Sequence, residues 1–286
     1  MAITASELGK DVGGLITLPD VYLRISRLLD DPNSSVADIA RVVAADPSFT
    51  LRLLRVANSP IYKTSQAVTT VARAVTVIGM AQIANLALSM SVASSFEGLP
   101  NALVSPANFW RHSIYCALAA RHLAKVMGRC DRDALFTAGL LHDIGELVIF
   151  NRMPDEARAA LMLVLDSGDE LPVYRAEQQV LGFDHAEVGA ELARQWNLPA
   201  LLEECIAFHH HFEGAQKYPR EVALIHICNV LAQMAEVDDF DGADFEPITP
   251  AAWEITGLDM DCVEPTLRLV QMEIIEVEQM FAGGKA

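Results

Sequence analysis

The run Gly139-Leu140-Leu141-His142-Asp143-Ile144-Gly145 places a histidine beside an aspartate inside an apolar, helix-forming stretch. The two side chains offer one cation a neutral imidazole nitrogen and a carboxylate oxygen, a donor set that suits Zn, Mn or Fe. A carboxylate in an apolar run is costly unless something pairs with it, so Asp143 needs a partner. The plainer reading is a buried pair satisfied by hydrogen bonds.

Other histidines stand where they can join that pair. His112, in Asn108-Phe109-Trp110-Arg111-His112-Ser113, opens a long apolar-periodic stretch. His185 follows Asp184, an N-cap candidate, and begins a helix. His209 and His210 end the run from Leu201 to Phe208. If these helices share one core, five imidazoles and one carboxylate converge. The triple His209-His210-His211 also reads as a solvated helix end, where the macrodipole favours cations. His122 and His226 are assigned to packing or surface.

The order His112, His142-Asp143, His185, His209-His210 resembles the HD superfamily of metal-dependent phosphohydrolases. The N-terminal third resembles one branch of it, the HDOD (HD-related output) domain. The matching pieces are Leu18-Pro19, Leu28-Leu29-Asp30-Asp31-Pro32, Asp46-Pro47, Leu53 to Pro60 and Ala74 to Gly79. Later pieces match too: Gly182, His185 and Gly189, Trp196-Asn197-Leu198-Pro199, and Ile206 before His209-His210. The resemblance covers roughly residues 15 to 235.

Two departures from the catalytic branches qualify what the resemblance implies. Where the phosphohydrolases carry a late Asp ligand, this chain has Asn229, in Ile225-His226-Ile227-Cys228-Asn229-Val230. A carboxamide brings no negative charge, so metal affinity and the lowering of water's pKa should both fall. The chain also resembles the HD-GYP phosphodiesterases, which place a Glu where Asn108 stands here. Of their Gly-Tyr-Pro signature only Tyr218-Pro219 remains. The resemblance thus implies a degraded metal site made of His112, His142, Asp143, His185, His209, His210 and Asn229.

Two functions compete on that basis. The first is a non-catalytic bacterial signal-transduction module that binds a regulatory protein or a nucleotide second messenger. Its binding surface would comprise Asn58, Ser59 and Pro60, the cleft between lobes and the remnant metal site. The second is a metal-dependent phosphohydrolase acting on a nucleotide or cyclic dinucleotide, in which Asp143 bridges metals or orients the attacking water. Between them stands a closed structural metal site. The expected cofactor is a divalent ion, Fe, Mn, Zn or Mg, and no other.

Composition narrows the classes further. The net charge of −17 disfavours a nucleic-acid binder, which needs basic residues to displace phosphate counterions. Arg52, Arg55, Lys63 and Arg73 read as surface charges on amphipathic helices. No apolar run reaches the roughly 18 residues of a membrane span, and no secretory signal is evident at the N-terminus. The five cysteines are scattered and never form a CxxC, as expected of reduced thiols in a cytoplasmic protein. The acidic run from Asp238 to Glu246 lacks calcium-loop spacing and reads as a solvated loop.

Helical periodicity dominates, so the expected fold is all-α: an HD-superfamily helical bundle core with an additional N-terminal helical lobe. The lobe takes residues 1–98, the HD-like core 99–236, and an acidic loop with a C-terminal helix 237–286. Residues 98–106 form the linker between lobe and core. The lobe reads as five pieces from Val21 to Ser95, and one helix is expected to carry both His142 and Asp143. Leu267, Val270, Ile274, Val277 and Phe281 form a stripe on the last helix, expected to dock on the core, with a homodimer seam as the alternative.

Overall fold

A computed structural model describes residues 3–15, 20–59, 62, 64, 66–95, 105–167, 171–236 and 248–281. All regular structure among them is helical, as the periodicity implies. None of these helices is by itself long and apolar enough to cross a membrane. The expected acidic loop and residues 98–104 of the expected linker lie outside the described residues.

The chain divides into two compact units. The first helix, α1 (Ala5–Leu15), groups with the later unit and not with the N-terminal lobe. It packs on the helix at residues 185–195, where Gly9 lets it approach so closely that a Cβ would lie 2.7 Å from the Glu191 side chain. The sequence reading missed this helix because its segment contains Gly9, Gly13 and Gly14, each unfavourable in a helix interior.

The lobe itself contains α2 (Asp20–Asp30), α3 (Val36–Ala44), α4 (Pro47–Ala57), α5 (Val71–Ile78) and α6 (Met80–Ser95), matching the five expected pieces. Local chemistry sets their ends. Ser35 and Asp38 form a reciprocal capping box on α3, and Asp46 caps α4 with Pro47 in the first turn. Thr70 caps α5, and Gly79, at a φ of 98°, turns the chain into α6. Ile25, Ile39, Val43, Leu53, Val75 and Ile83 are fully buried and make the lobe's core.

Asn58 closes α4 and pins the following loop. Its amide nitrogen donates to the carbonyls of Leu54 and Val68, each at 2.8 Å, and its Oδ1 accepts from the Val68 N–H at 2.7 Å. The amide expected to meet a partner is thus engaged by the lobe's own backbone. Ser59 is buried, and Pro60 lies outside the described residues. Asn58→Ala should therefore lower the stability of this unit by about 1–2 kcal/mol in denaturant unfolding, the worth of two loop-closing hydrogen bonds.

The second unit continues through α7 (Pro106–Met127), α8 (Arg132–Leu141), α9 (Ile144–Arg152), α10 (Pro154–Asp166), α11 (Val173–Leu181), α12 (His185–Gln195), α13 (Ala200–Phe208), α14 (Pro219–Glu236), α15 (Pro250–Thr256) and α16 (Val263–Phe281). Helix α7 is buried on every side through its middle, from Ser113 to Ala120, while Arg111 and Lys125 toward its ends are exposed. It packs against α8 and α14. Helix α15 and the start of α16 belong to this unit, while α16 from Met272 onward groups with the lobe. The expected separate C-terminal piece is thus divided between the two. Leu267, Val270, Ile274 and Val277 are buried as the stripe implies; the Phe281 side chain is outside the described set.

Candidate metal centre

The His142-Asp143 pair does not lie within one helix. Helix α8 ends at Leu141, His142 is its C-terminal cap, and Asp143, at φ −96° and ψ 14°, precedes α9. The apolar run hides this break from periodicity, because both helices are buried on each side of it. The break turns both side chains toward one point.

Glycines bring the neighbouring helices close enough to meet there. Gly139 lies against the α7 backbone, where a Cβ would stand 2.8 Å from the Ala117 Cα. Gly145 lies against α12, where a Cβ would stand 1.9 Å from the His185 carbonyl oxygen and 2.7 Å from the Gly189 nitrogen. Helix α12 starts on a capping box of Asp184 and Glu187, after Gly182 ends α11 at a φ of 86°. His209 caps the end of α13, and α14 supplies Asn229.

The result is a cluster built around the Asp143 carboxylate. Its Oδ2 lies 2.9 Å from His142 Nε2 and 3.4 Å from His112 Nε2. Its Oδ1 lies 3.4 Å from His185 Nε2 and 3.3 Å from His209 Nε2. His185 Nε2 in turn lies 3.3 Å from His209 Nε2 and 2.9 Å from His210 Nε2. Asn229 Oδ1 accepts from His112 Nε2 at 3.0 Å. All seven residues singled out by sequence therefore converge.

The outer nitrogens fix which way the rings present their lone pairs. His142 Nδ1 donates to the Gly139 carbonyl at 2.8 Å and His209 Nδ1 to the Ile206 carbonyl at 2.9 Å. His185 Nδ1 donates to Glu177 Oε2 at 2.7 Å. With the proton on Nδ1, a neutral ring turns an unprotonated Nε2 inward. His142 Nε2 and Asp143 Oδ1 are buried without a hydrogen bond of proper geometry. Neutral rings would set inward lone pairs against a carboxylate oxygen at these separations, which repel unless protons or a cation lie among them, and the donor set fits a divalent ion. Asp143, His185, His209 and His210 form one candidate ligand group, and His112, His142 and Asp143 another; in each, the donor atoms lie within 4.8 Å of one another.

The protein's own groups respond to this crowding. Burial opposes charge on His142, but the Asp143 carboxylate and the Cys116 thiol outweigh it and raise its pKa to about 10. Burial likewise opposes charge on His185, yet Glu177 and Asp143 hold its proton well above the ordinary range. Burial would raise Asp143, but the His142 charge, with the nearby His185 and His209 rings, keeps it well below the usual carboxylate range. His209 is pushed down to about 4 by burial and by charge on His142 and His185, against the opposing pull of Asp143. His210 is lowered by burial and by His209 and His185.

Sequence reasoning missed several residues that support the cluster. Glu177 lies on α11, eight positions before its partner, with no local signal to connect them. Glu146, raised to about 8 by burial and the Asp143 charge, carried the same signal as Asp143, a carboxylate in an apolar run. His226, assigned to packing or surface, is buried and holds His209 in place, donating from Nδ1 to its carbonyl at 2.8 Å. Tyr174 stacks on His210 with ring centroids 4.2 Å apart.

Fold and site together define an all-helical protein with an HD-type cluster at a helix junction. The HDOD domain family model matches residues 15–212, and the chain belongs to that family. Its fold is similar to the crystal structure of an HDOD domain protein of unknown function from Geobacter sulfurreducens. There the TM-score is 0.75 and the identity 24%, over 97% of each chain. It is similar also to a Shewanella amazonensis protein for which a phosphohydrolase role has been suggested. That match has TM-score 0.75 and 25% identity, covering 96% of this chain and 98% of the other. By sequence it is 24% identical over 79% of its length to an uncharacterized protein of Treponema pallidum. The matched region is 44% of that relative, so this chain spans about half its length.

Proposed function

We propose that this HDOD protein is a bacterial cytoplasmic signalling module whose HD-type cluster holds a divalent ion, and which acts by binding a regulatory protein or nucleotide. The observation that carries the metal reading is the crowding of His185, His209 and His210 Nε2 with Asp143 Oδ1, at separations of 2.9 to 3.4 Å. Asp143, His185, His209 and His210 would hold the ion, with His142 and His112 on the other carboxylate oxygen. When bound, such an ion can act as a Lewis acid or activate water. Burial favours a closed role: His142, Asp143, His185 and His209 are all buried, leaving little surface for a phosphate substrate. Asn229 contributes no charge and is committed to His112. Hydrolysis needs an accessible position and a well-compensated ion, and both are weakened here.

A metal-dependent phosphohydrolase is the second reading, favoured by the way Asp143 divides its two oxygens between two pairs of imidazoles, and by the role suggested for the Shewanella amazonensis protein. Turnover assays of the unaltered protein decide between them, and Asn229→Asp checks the charge argument. The module reading expects no phosphodiesterase or phosphatase turnover from the unaltered, metal-loaded protein. It also expects ion affinity to rise about tenfold or more in the variant, since a carboxylate replaces a carboxamide beside the cluster. Turnover of nucleotides or cyclic dinucleotides by the unaltered protein would overturn it.

A further inference from the structure

A dication among neutral imidazoles and one carboxylate retains a net positive charge, and in a buried site that charge needs an anion nearby. Asn229 does not supply it. Glu177 is 2% exposed and sits behind the cluster on α11. One oxygen, Oε2, accepts both the His185 backbone N–H at 2.9 Å and the His185 Nδ1–H at 2.7 Å. His142 and His209 rest their outer nitrogens on neutral carbonyls, so His185 differs from them in leaning on an anion.

We propose that Glu177 is the positioning residue of this metal centre, and that through the His185 ring it supplies the second negative charge the ion requires. A carboxylate accepting from Nδ1 fixes the ring's tautomer, aims Nε2 at the cluster and makes that nitrogen a stronger donor. The backbone hydrogen bond also holds the carboxylate against the first turn of α12, so the imidazole cannot rotate without losing a fixed acceptor.

This inference rests on the metal reading, and its test separates the two. Zn(II) is titrated calorimetrically into the chelator-treated full chain and into Glu177→Gln, which keeps an acceptor oxygen and removes the charge. The expected result is a 10- to 100-fold loss of Zn(II) affinity, with the metal-free unfolding temperature moving far less than the metal-loaded one. Equal affinity in the two proteins would overturn the role of Glu177 and leave the metal reading standing. Failure of the unaltered protein to take up Zn(II) or any other divalent ion would remove both. Should the variant not fold, long-range 1H–15N spectra of the Zn(II)-loaded unaltered protein give the answer. A proton on His185 Nδ1, with Nε2 metal-bound, is the expected result. A proton on Nε2 would overturn the proposal.

Discussion

Gly145→Ala is expected to destabilise the site-bearing unit by about 3 kcal/mol or more and to abolish ion binding with it. The added Cβ would stand 1.9 Å from the His185 carbonyl oxygen and 2.7 Å from the Gly189 nitrogen, both backbone atoms. No rotamer change can relieve such a clash, so α9 and α12 must move apart. Overpacking costs about 1–3 kcal/mol where side chains can adjust, and more where the obstacle is main chain. The same displacement carries Asp143 away from His185, because each stands at the start of its helix beside the crossing. Thermal unfolding and calorimetric ion titration of the variant check the two halves. Gly182→Ala serves as a contrast: nothing lies within 4 Å of its Cβ position, and the strain there comes from the φ of 86° alone.

Asp143→Asn should weaken ion affinity by at least about 100-fold, since partners one layer further out are already worth 10- to 100-fold. It should also change how the metal-free protein responds to pH. The pKa of His142 is about 10 in the fold against an ordinary 6.5, and that of Glu146 about 8 against 4.5. Between pH 6.5 and 8 the folded chain therefore binds more protons at these groups than the unfolded chain does. Their contribution is fully present below the unfolded values and is lost as pH rises, so the metal-free protein should grow less stable across this window. His209, lowered to about 4, works in the opposite sense, but between pH 4 and 6.5. Asp143 is a cause of the raised values at both His142 and Glu146, so the decline should be shallower in Asp143→Asn. Unfolding temperatures at pH 6.5 and 8, in chelator, read this directly.

The sequence was most legible where a single element determines the outcome. The helices of the lobe follow their stripes, caps and prolines, and the five pieces from Val21 to Ser95 are found as expected. The histidines could be singled out because imidazoles at helix starts and ends, together with the family pattern, mark one cluster. What stayed hidden depends on tertiary context. The break between His142 and Asp143 carries no Gly or Pro, because it is held by packing on both sides. Helix α1 has a weak intrinsic signal and docks through Gly9 and the buried Leu8 onto α12. The hydrogen bonds of Asn58 to Val68 were also hidden, because the loop that returns Val68 to it cannot be read from spacing. Glu177 reaches His185 only after α11 and α12 fold against each other around Gly182.

The central claim is that the Asp143 cluster is a cation site. Its most direct test is elemental analysis of the full chain purified without chelators, repeated after equilibration with Mn(II), Fe(II) or Zn(II) and gel filtration. The account predicts at least one tightly held divalent ion per chain, absent from Asp143→Asn, with an unfolding temperature that rises on metal addition. A folded, unaltered protein that retains no ion from any of these metals would contradict it.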